Sequence, residues 1–205
     1  MNNFQKITIE SYNDTVEDYI KFTDGLHQFN ESDLFVSHLS KNSIILDLGC
    51  AYGRDVAVFL KKGFRVVGID LSKKMIESAK ERVVDGQFYI MDVKKLKFED
   101  NFFDGVWGSK IFLHLSKKDV KKSLQETHRV LKPNGIFFLS VKMGKGEKML
   151  ADIRYGGKKK FWSFFQKEEI EREVINAGFK IIKSELKKEK IAYDTNQDIQ
   201  ILCKK

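Results

Sequence analysis

The sequence predicts an α/β domain: a doubly wound, mostly parallel sheet of seven strands, with helices on both faces and an antiparallel edge strand. Three observations carry that prediction. Short apolar runs alternate with helical repeats through residues 44–142. Three successive runs end on or next to an acid, Asp47, Asp70 and Asp92. Two last strand-like stretches, 179–188 and 197–204, are separated only by a loop and read as an antiparallel pair at one sheet edge.

The elements follow in order. Ahead of the first strand, apolar spacing predicts helices over 12–23 and 30–40, parted near Asp24-Gly25. Ile44 to Leu48 is a short buried strand. The turn Gly49-Cys50-Ala51-Tyr52-Gly53 comes next, then a helix over 53–62 carrying Val56, Ala57, Phe59 and Leu60. Gly63 ends that helix. Arg65 to Asp70 is the second strand, and Ser72 caps a helix with Met75, Ile76 and Ala79 inward. Gln87 to Met91 is the third strand and Phe102 to Trp107 the fourth. A long helix opens at Ser116 and runs to about Leu131, with Val120, Leu124, Thr127 and Val130 inward. Pro133, the only proline, stops it, and Asn134-Gly135 accept a left-handed backbone. Ile136 to Val141 is the fifth strand. Residues 143–165 read as an irregular loop with glycines at 144, 146, 156 and 157, lysines at 158–160 and an aromatic run after them. Lys167 to Ala177 is the last helix, closed by Gly178.

One domain over 1–205 is expected, with an N-terminal helical lid at 1–40, a ligand-binding core at 41–142, a substrate loop at 143–165, and a C-terminal helix and hairpin at 166–205. At 42% hydrophobic content the chain is globular, and its formal charge of +8 reads as a lysine-rich surface. Two cysteines, Cys50 and Cys203, are too few for a disulfide framework or a metal cluster, so reduced core thiols and no metal are expected. The first ten residues lack a signal-peptide run, and no stretch nears 18 apolar residues. A cytoplasmic protein with no membrane partner follows as the expectation.

In an open α/β sheet, ligands bind outside the carboxyl ends of the strands, so Asp47, Asp70 and Asp92 should line one crevice. Asp70 suits a ribose diol, Asp92 an exocyclic amine such as adenine's, and Asp47 a cationic or amino-bearing group. The turn lacks the third small residue of the G-x-G-x-x-G dinucleotide fingerprint, with Arg54 in that region, and Asp47 would repel a pyrophosphate.

Ile45-Leu46-Asp47-Leu48-Gly49-Cys50-Ala51-Tyr52-Gly53 resembles motif I of the class I S-adenosylmethionine-dependent methyltransferases. Val66-Val67-Gly68-Ile69-Asp70-Leu71-Ser72 and Ile90-Met91-Asp92-Val93 resemble their second and third motifs. Phe103-Asp104-Gly105-Val106-Trp107 and Arg129-Val130-Leu131-Lys132-Pro133-Asn134-Gly135-Ile136 resemble the fourth- and fifth-strand blocks. The likeness covers about residues 40–142. It implies a Rossmann-like fold and S-adenosylmethionine as cofactor, with S-adenosylhomocysteine as product. The implied cofactor residues are Asp47, Gly49, Cys50, Ala51, Gly53, Asp70, Leu71, Asp92, Val93 and Ser109. Ala51 departs from the family, which more often has glycine there.

The resemblance implies in-line methyl transfer, for which the protein supplies alignment and a dry site. His114, just past the fourth strand, is the candidate general base. His27, His38 and His128 have weaker claims, and Asp104 is assigned a structural role. Tyr12, Tyr19, Arg154, Tyr155 and Trp162 are the candidate substrate residues. No Pro-Pro-Tyr type motif follows the fourth strand and neither cysteine lies near a proline, which disfavours nucleic-acid bases as acceptors. A small molecule is the expected substrate. An RNA-directed enzyme and a non-catalytic S-adenosylmethionine-binding protein stand as alternatives. A monomer or weak homodimer is expected.

Overall fold

The computed structural model describes residues 2–24, 29–188 and 197–205. Three N-terminal helices, α1 (Asn3–Asp14), α2 (Val16–Thr23) and α3 (Phe29–Ser37), precede the sheet. Then β1 (Ile44–Leu48), α4 (Arg54–Lys61), β2 (Arg65–Asp70), α5 (Lys73–Arg82) and β3 (Gln87–Ile90) alternate. They are followed by β4 (Phe103–Ser109), α6 (Lys117–Val130) and β5 (Leu131–Met143). The chain closes with β6 (Glu147–Asp152), β7 (Lys158–Phe165), α7 (Lys167–Asn176), β8 (Lys180–Lys188) and β9 (Gln197–Lys204).

The parallel core runs β3-β2-β1-β4-β5. The order reverses beside β1, which leaves a crevice at the strand ends there. Antiparallel β9 pairs with β5 from Ile136 to Lys142, and β8 pairs with β9. Strand residues alternate between two cores. Leu46, Leu48, Val106, Phe137 and Leu139 pack on the side of α6 and α7, against Val120, Leu124, Ile170 and Val174. Ile45, Val66, Trp107 and Phe138 face the other way, against Phe35, Phe59, Ile76 and Ala79. Burial on both faces is why these strands read as continuous apolar runs. The buried Trp107 indole stacks on Phe138 at 4.1 Å and donates its N–H to Asp55 Oδ2 at 2.9 Å. Both cysteines are buried free thiols, and no helix among the described residues is long and apolar enough to cross a membrane.

Three expectations are corrected. The described residues of the N-terminal segment hold three helices rather than two. Gln5, Thr8 and Ser11 form the buried side of α1, and a polar inner face carries no apolar period to detect. Thr15 separates α1 from α2; its hydroxyl donates back to Ser11 O at 2.7 Å. Residues 143–165 are largely ordered strand: β6 and β7 form an antiparallel hairpin, and β7 meets β5 in parallel at Lys142 and Met143. The lysine run concealed β7, because Lys160 is fully buried despite its charge. Gly156 and Gly157, at φ 66° and 72°, make the left-handed return that joins the two strands. Among the described residues the sheet accordingly has nine strands where seven were expected. The loop expected between β8 and β9 lies outside the described residues.

Candidate functional site

A cavity of about 650 Å³ opens at the carboxyl ends of β1, β2, β4 and β5. Its floor is the turn after β1. The N–H groups of Gly49 and Cys50 both donate to Ile69 O, at 2.8 and 2.9 Å, which pins the turn to β2. Gly49 sits at φ +72°, and a Cβ there would fall 2.8 Å from Ile111 Cδ1. Ala51 holds a left-handed φ of 47°, a conformation that costs a non-glycine residue about 1–2 kcal/mol.

Acids gather at this end. Asp47 is only 3% exposed, and its Oδ2 finds no hydrogen-bond partner among the described residues. Burial, reinforced by the charges of Asp55 and Asp70 and opposed by Arg54, holds its carboxyl well above the usual range. Asp70 Oδ1 accepts from the Ser72 N–H at 2.8 Å and Oδ2 from the Ala51 N–H at 3.1 Å. Burial raises its pKa while those amides work to lower it. An anionic, partly unsatisfied pocket of this kind is complementary to a ligand that brings a cation and hydroxyl donors.

The opposite end is aromatic. Tyr12 packs edge-on against Tyr19 at 5.4 Å and against His114 at 5.5 Å, and Trp162 lies 5.0 Å from the His114 ring. His114 Nδ1 is 2.7 Å from Phe161 O and its Nε2 is 2.8 Å from Tyr12 Oη. Burial pushes the imidazole down to about 4, against the pull of the Phe161 carbonyl. Burial also raises the Tyr19 phenol to about 12. Behind this wall, Arg154 grips Asp152 with two bonds of 2.7 Å. Lys160 sits 3.5 Å from Asp152 and 4.0 Å from the centre of the Tyr12 ring. Burial pulls the Lys160 ammonium down to about 8, with Asp152 opposing.

Among the expected cofactor residues, Asp47, Gly49, Cys50, Ala51, Asp70, Leu71, Val93 and Ser109 line the cavity. Gly53 lies behind it as the left-handed residue that starts α4. Asp92 is beside the lining, its carboxylate accepting from the Lys94 N–H at 2.9 Å with the Lys94 ammonium 3.7 Å away. Tyr12, Tyr19, His114, Arg154 and Trp162 all line the cavity. Tyr155 contributes backbone to a 3-10 turn over Ile153–Tyr155. His38 is exposed, His128 packs on Phe179 away from the cavity, and His27 falls outside the described residues. Asp104 accepts from the Ile44 N–H at 2.8 Å and pairs with Lys132, as its structural assignment requires.

Sequence reasoning missed Gln5, Thr8 and Ile9 of α1, Lys110 and Ile111 after β4, and Lys142 at the end of β5. Lys142 carried a signal: a lysine follows directly on the mainly apolar run Ile136–Val141 and is 5% exposed there, with Asp198 at 2.8 Å.

A doubly wound sheet with a glycine turn after β1 and acids at the ends of β1 and β2 defines the nucleotide-cradling class of α/β protein. Within that class, residues 46–139 match the family model described as a methyltransferase domain. A demethylmenaquinone methyltransferase of Thermotoga maritima is 38% identical over 94 residues, covering 44% of this chain and 40% of that protein. The chain spans about half the length of the curated relatives it matches. Among solved structures, the Burkholderia thailandensis 1,6-didemethyltoxoflavin-N1-methyltransferase, with bound 1,6-didemethyltoxoflavin and S-adenosylhomocysteine, superposes with a TM-score of 0.78 at 21% identity. It covers 100% of this chain and 91% of its own. The [4+2]-cyclase SpnF shares the fold at TM-score 0.77 and 19% identity, covering 99% of this chain and 96% of its own.

Proposed function

We propose that this chain transfers a methyl group from S-adenosylmethionine to a small-molecule acceptor. The observation that carries the reading is the buried Asp47 carboxylate, with an unsatisfied oxygen beside a turn where Gly49 leaves no room for a Cβ. Such an oxygen needs a donor, and a cationic one suits it best. The cofactor's amino group meets that need. Asp70 would then hold the ribose, with Leu71, Met91 and Val93 flanking the base.

When bound, the cofactor supplies a methyl group already activated on a sulfonium. The protein's part is to bind, align and exclude water. Ile111 and Leu113 close one side of the cavity with apolar surface, while Tyr12, Tyr19 and Trp162 give flat walls against which an acceptor can lie. Residues 2–24 and 143–165 are read as the segments that close over that acceptor; residues 1 and 25–28 of the expected closing segment 1–30 lie outside the described residues. His114 is read as an orienting group and not as a base, because both its nitrogens are engaged and burial holds it near 4. The Thermotoga relative's name and the Burkholderia neighbour's bound ligand support a small acceptor. An RNA acceptor finds less support. Lys158 and Lys159 are exposed, but Phe161, Phe164 and Phe165 of the basic-aromatic stretch are buried and leave little surface for stacking.

The first test is calorimetry with S-adenosylhomocysteine. Stoichiometric binding at micromolar affinity, about −8 kcal/mol, is expected. No heat and no thermal shift at millimolar ligand would overturn the reading. Incubation with isotope-labelled cofactor, a metabolite pool and RNA, followed by mass spectrometry, then identifies the acceptor. The cyclase neighbour makes this second step necessary, since the fold alone does not specify methyl transfer.

A further inference from the structure

We infer that Tyr12 and His114 form a hydrogen-bond relay of fixed direction that selects an acceptor carrying an O–H or N–H. The inference rests on the methyltransferase reading and deepens it.

The argument starts from a backbone carbonyl. Phe161 O can only accept, and His114 Nδ1 lies 2.7 Å from it, so Nδ1 carries a proton. A neutral imidazole has a single N–H, which leaves a lone pair on Nε2. The Tyr12 hydroxyl, 2.8 Å from Nε2, therefore donates to it. A phenol has one proton, so Tyr12 presents only lone pairs towards the cavity that it lines. The direction of every bond in the chain follows from the first.

The surroundings hold this arrangement in place. Phe161 N–H donates to Thr8 Oγ1 at 2.9 Å, and Phe161 stacks on Phe4 at 4.3 Å. Phe4, Thr8 and Tyr12 are successive turns of α1, so the carbonyl that orients His114 is tied to the helix that carries Tyr12. The Lys160 ammonium over the Tyr12 ring draws electron density from the phenol and strengthens its donation. Burial keeps the imidazole neutral; Lys160 and Arg154 add to that effect, and Asp152 opposes it.

An acceptor that brings an O–H or N–H meets a lone pair on Tyr12 and is oriented by it. A tertiary amine or a thioether has no such donor and gains nothing from the contact. The structure thus favours a flat molecule bearing a hydroxyl or an N–H near the atom to be methylated.

The test has three parts. Calorimetry with S-adenosylhomocysteine comes first, and failure there strikes the methyltransferase reading itself. On the complex, nitrogen NMR of labelled histidine is expected to show His114 protonated at Nδ1 and bare at Nε2. Phenol and anisole then serve as matched probes on the complex, each variant being saturated with S-adenosylhomocysteine at its own measured affinity. Phenol should bind about fivefold more tightly than anisole, the usual size of one hydrogen bond. Tyr12→Phe should erase that preference. His114→Gln, whose amide oxygen can accept from Tyr12, should retain it, and His114→Phe should shift it towards anisole by freeing the Tyr12 proton. With S-adenosylhomocysteine bound, three results would each overturn the relay: a proton on Nε2, equal affinities for the two probes, or no binding of either.

Discussion

The two ends of the cavity are built in different ways. At the end proposed for the cofactor, Asp47, Gly49, Cys50, Ala51, Arg54 and Asp55 fall within one nine-residue stretch, and Asp70 enters from the neighbouring strand. The end proposed for the acceptor draws Tyr12 and Tyr19 from α1 and α2, His114 from the segment after β4, and Arg154 and Trp162 from the β6–β7 hairpin. The first is acidic and backbone-shaped, and it belongs to the sheet. The second is aromatic and side-chain-shaped, and it exists only when distant segments pack. Damage to the first should therefore appear in cofactor affinity, and damage to the second in turnover.

The largest effect is expected from Gly49→Val. Its left-handed φ and the Ile111 contact leave no place for a branched side chain. S-adenosylhomocysteine binding should vanish from calorimetry while circular dichroism still reports a folded chain. Retained affinity would show that the turn is not the cradle.

Asp70→Ala comes next. Losing two charge-assisted bonds of about 1.5 kcal/mol or more each should weaken S-adenosylhomocysteine by at least about 100-fold. Asp92→Ala should cost less than about tenfold, one hydrogen bond at most, since the Asp92 carboxylate lies off the cavity lining and is engaged by Lys94. Equal or reversed losses would mean that the ribose and adenine ends are misassigned.

The acceptor end is probed by Phe4→Ala. Removing the ring stacked on Phe161 loosens the carbonyl that holds His114. Once an acceptor is identified, kcat/KM should fall about tenfold, or 1.4 kcal/mol, with cofactor affinity changed less than threefold. A larger change in affinity than in turnover would join the two ends into one unit.

Asp47→Asn should separate binding from stability. The folded pKa of Asp47 lies above its unfolded value. Between those two values the folded chain keeps a proton that the unfolded chain has released, so stability falls as pH rises through that window. Above it the ligand-free protein carries the full cost of the buried charge. At neutral pH the asparagine variant should melt about 2–4 °C higher, yet bind S-adenosylhomocysteine more weakly. A lower melting temperature would mean that the carboxylate is satisfied in the free protein.

The smallest effect belongs to Ala51→Gly. Relief of the left-handed strain is partly offset by the added freedom of glycine in the unfolded chain. A gain of about 0.5 kcal/mol, or 1–2 °C in melting temperature, is expected. A loss would show that the alanine methyl packs usefully.

The same contrast explains what was legible in the sequence. The five parallel strands and the turn after β1 were readable, because continuous apolar runs, capping residues and glycines act locally. Asp47 and Asp70 were placed at one crevice on that basis, and both line the cavity. Helix α1 escaped in its boundaries because Gln5, Thr8 and Ser11 face inward, a polar pattern that ordinarily marks a solvated side. The β6–β7 hairpin escaped because Lys160 sits in the strand as a buried charge, made tolerable by Asp152 and the Tyr12 ring from elsewhere in the chain. Tyr12, Tyr19 and Trp162 were singled out as aromatics near open segments, but nothing local joined Tyr12 to His114 across 102 positions.

The place of β9 in the sheet bears on how the chain is made. Its residues 197–204 cover the edge of β5, and the Lys205 ammonium then donates to the carbonyls of His128 and Leu131. On a ribosome, β5 emerges with Phe137, Leu139 and Val141 in place but with that edge bare until some sixty further residues have followed. A nascent chain in that state exposes an unpaired apolar strand, the form of intermediate most prone to pair with a neighbour. The β5 edge therefore stays open until β9 has been made, and a chain stalled or cut before β9 would be a substrate for chaperones.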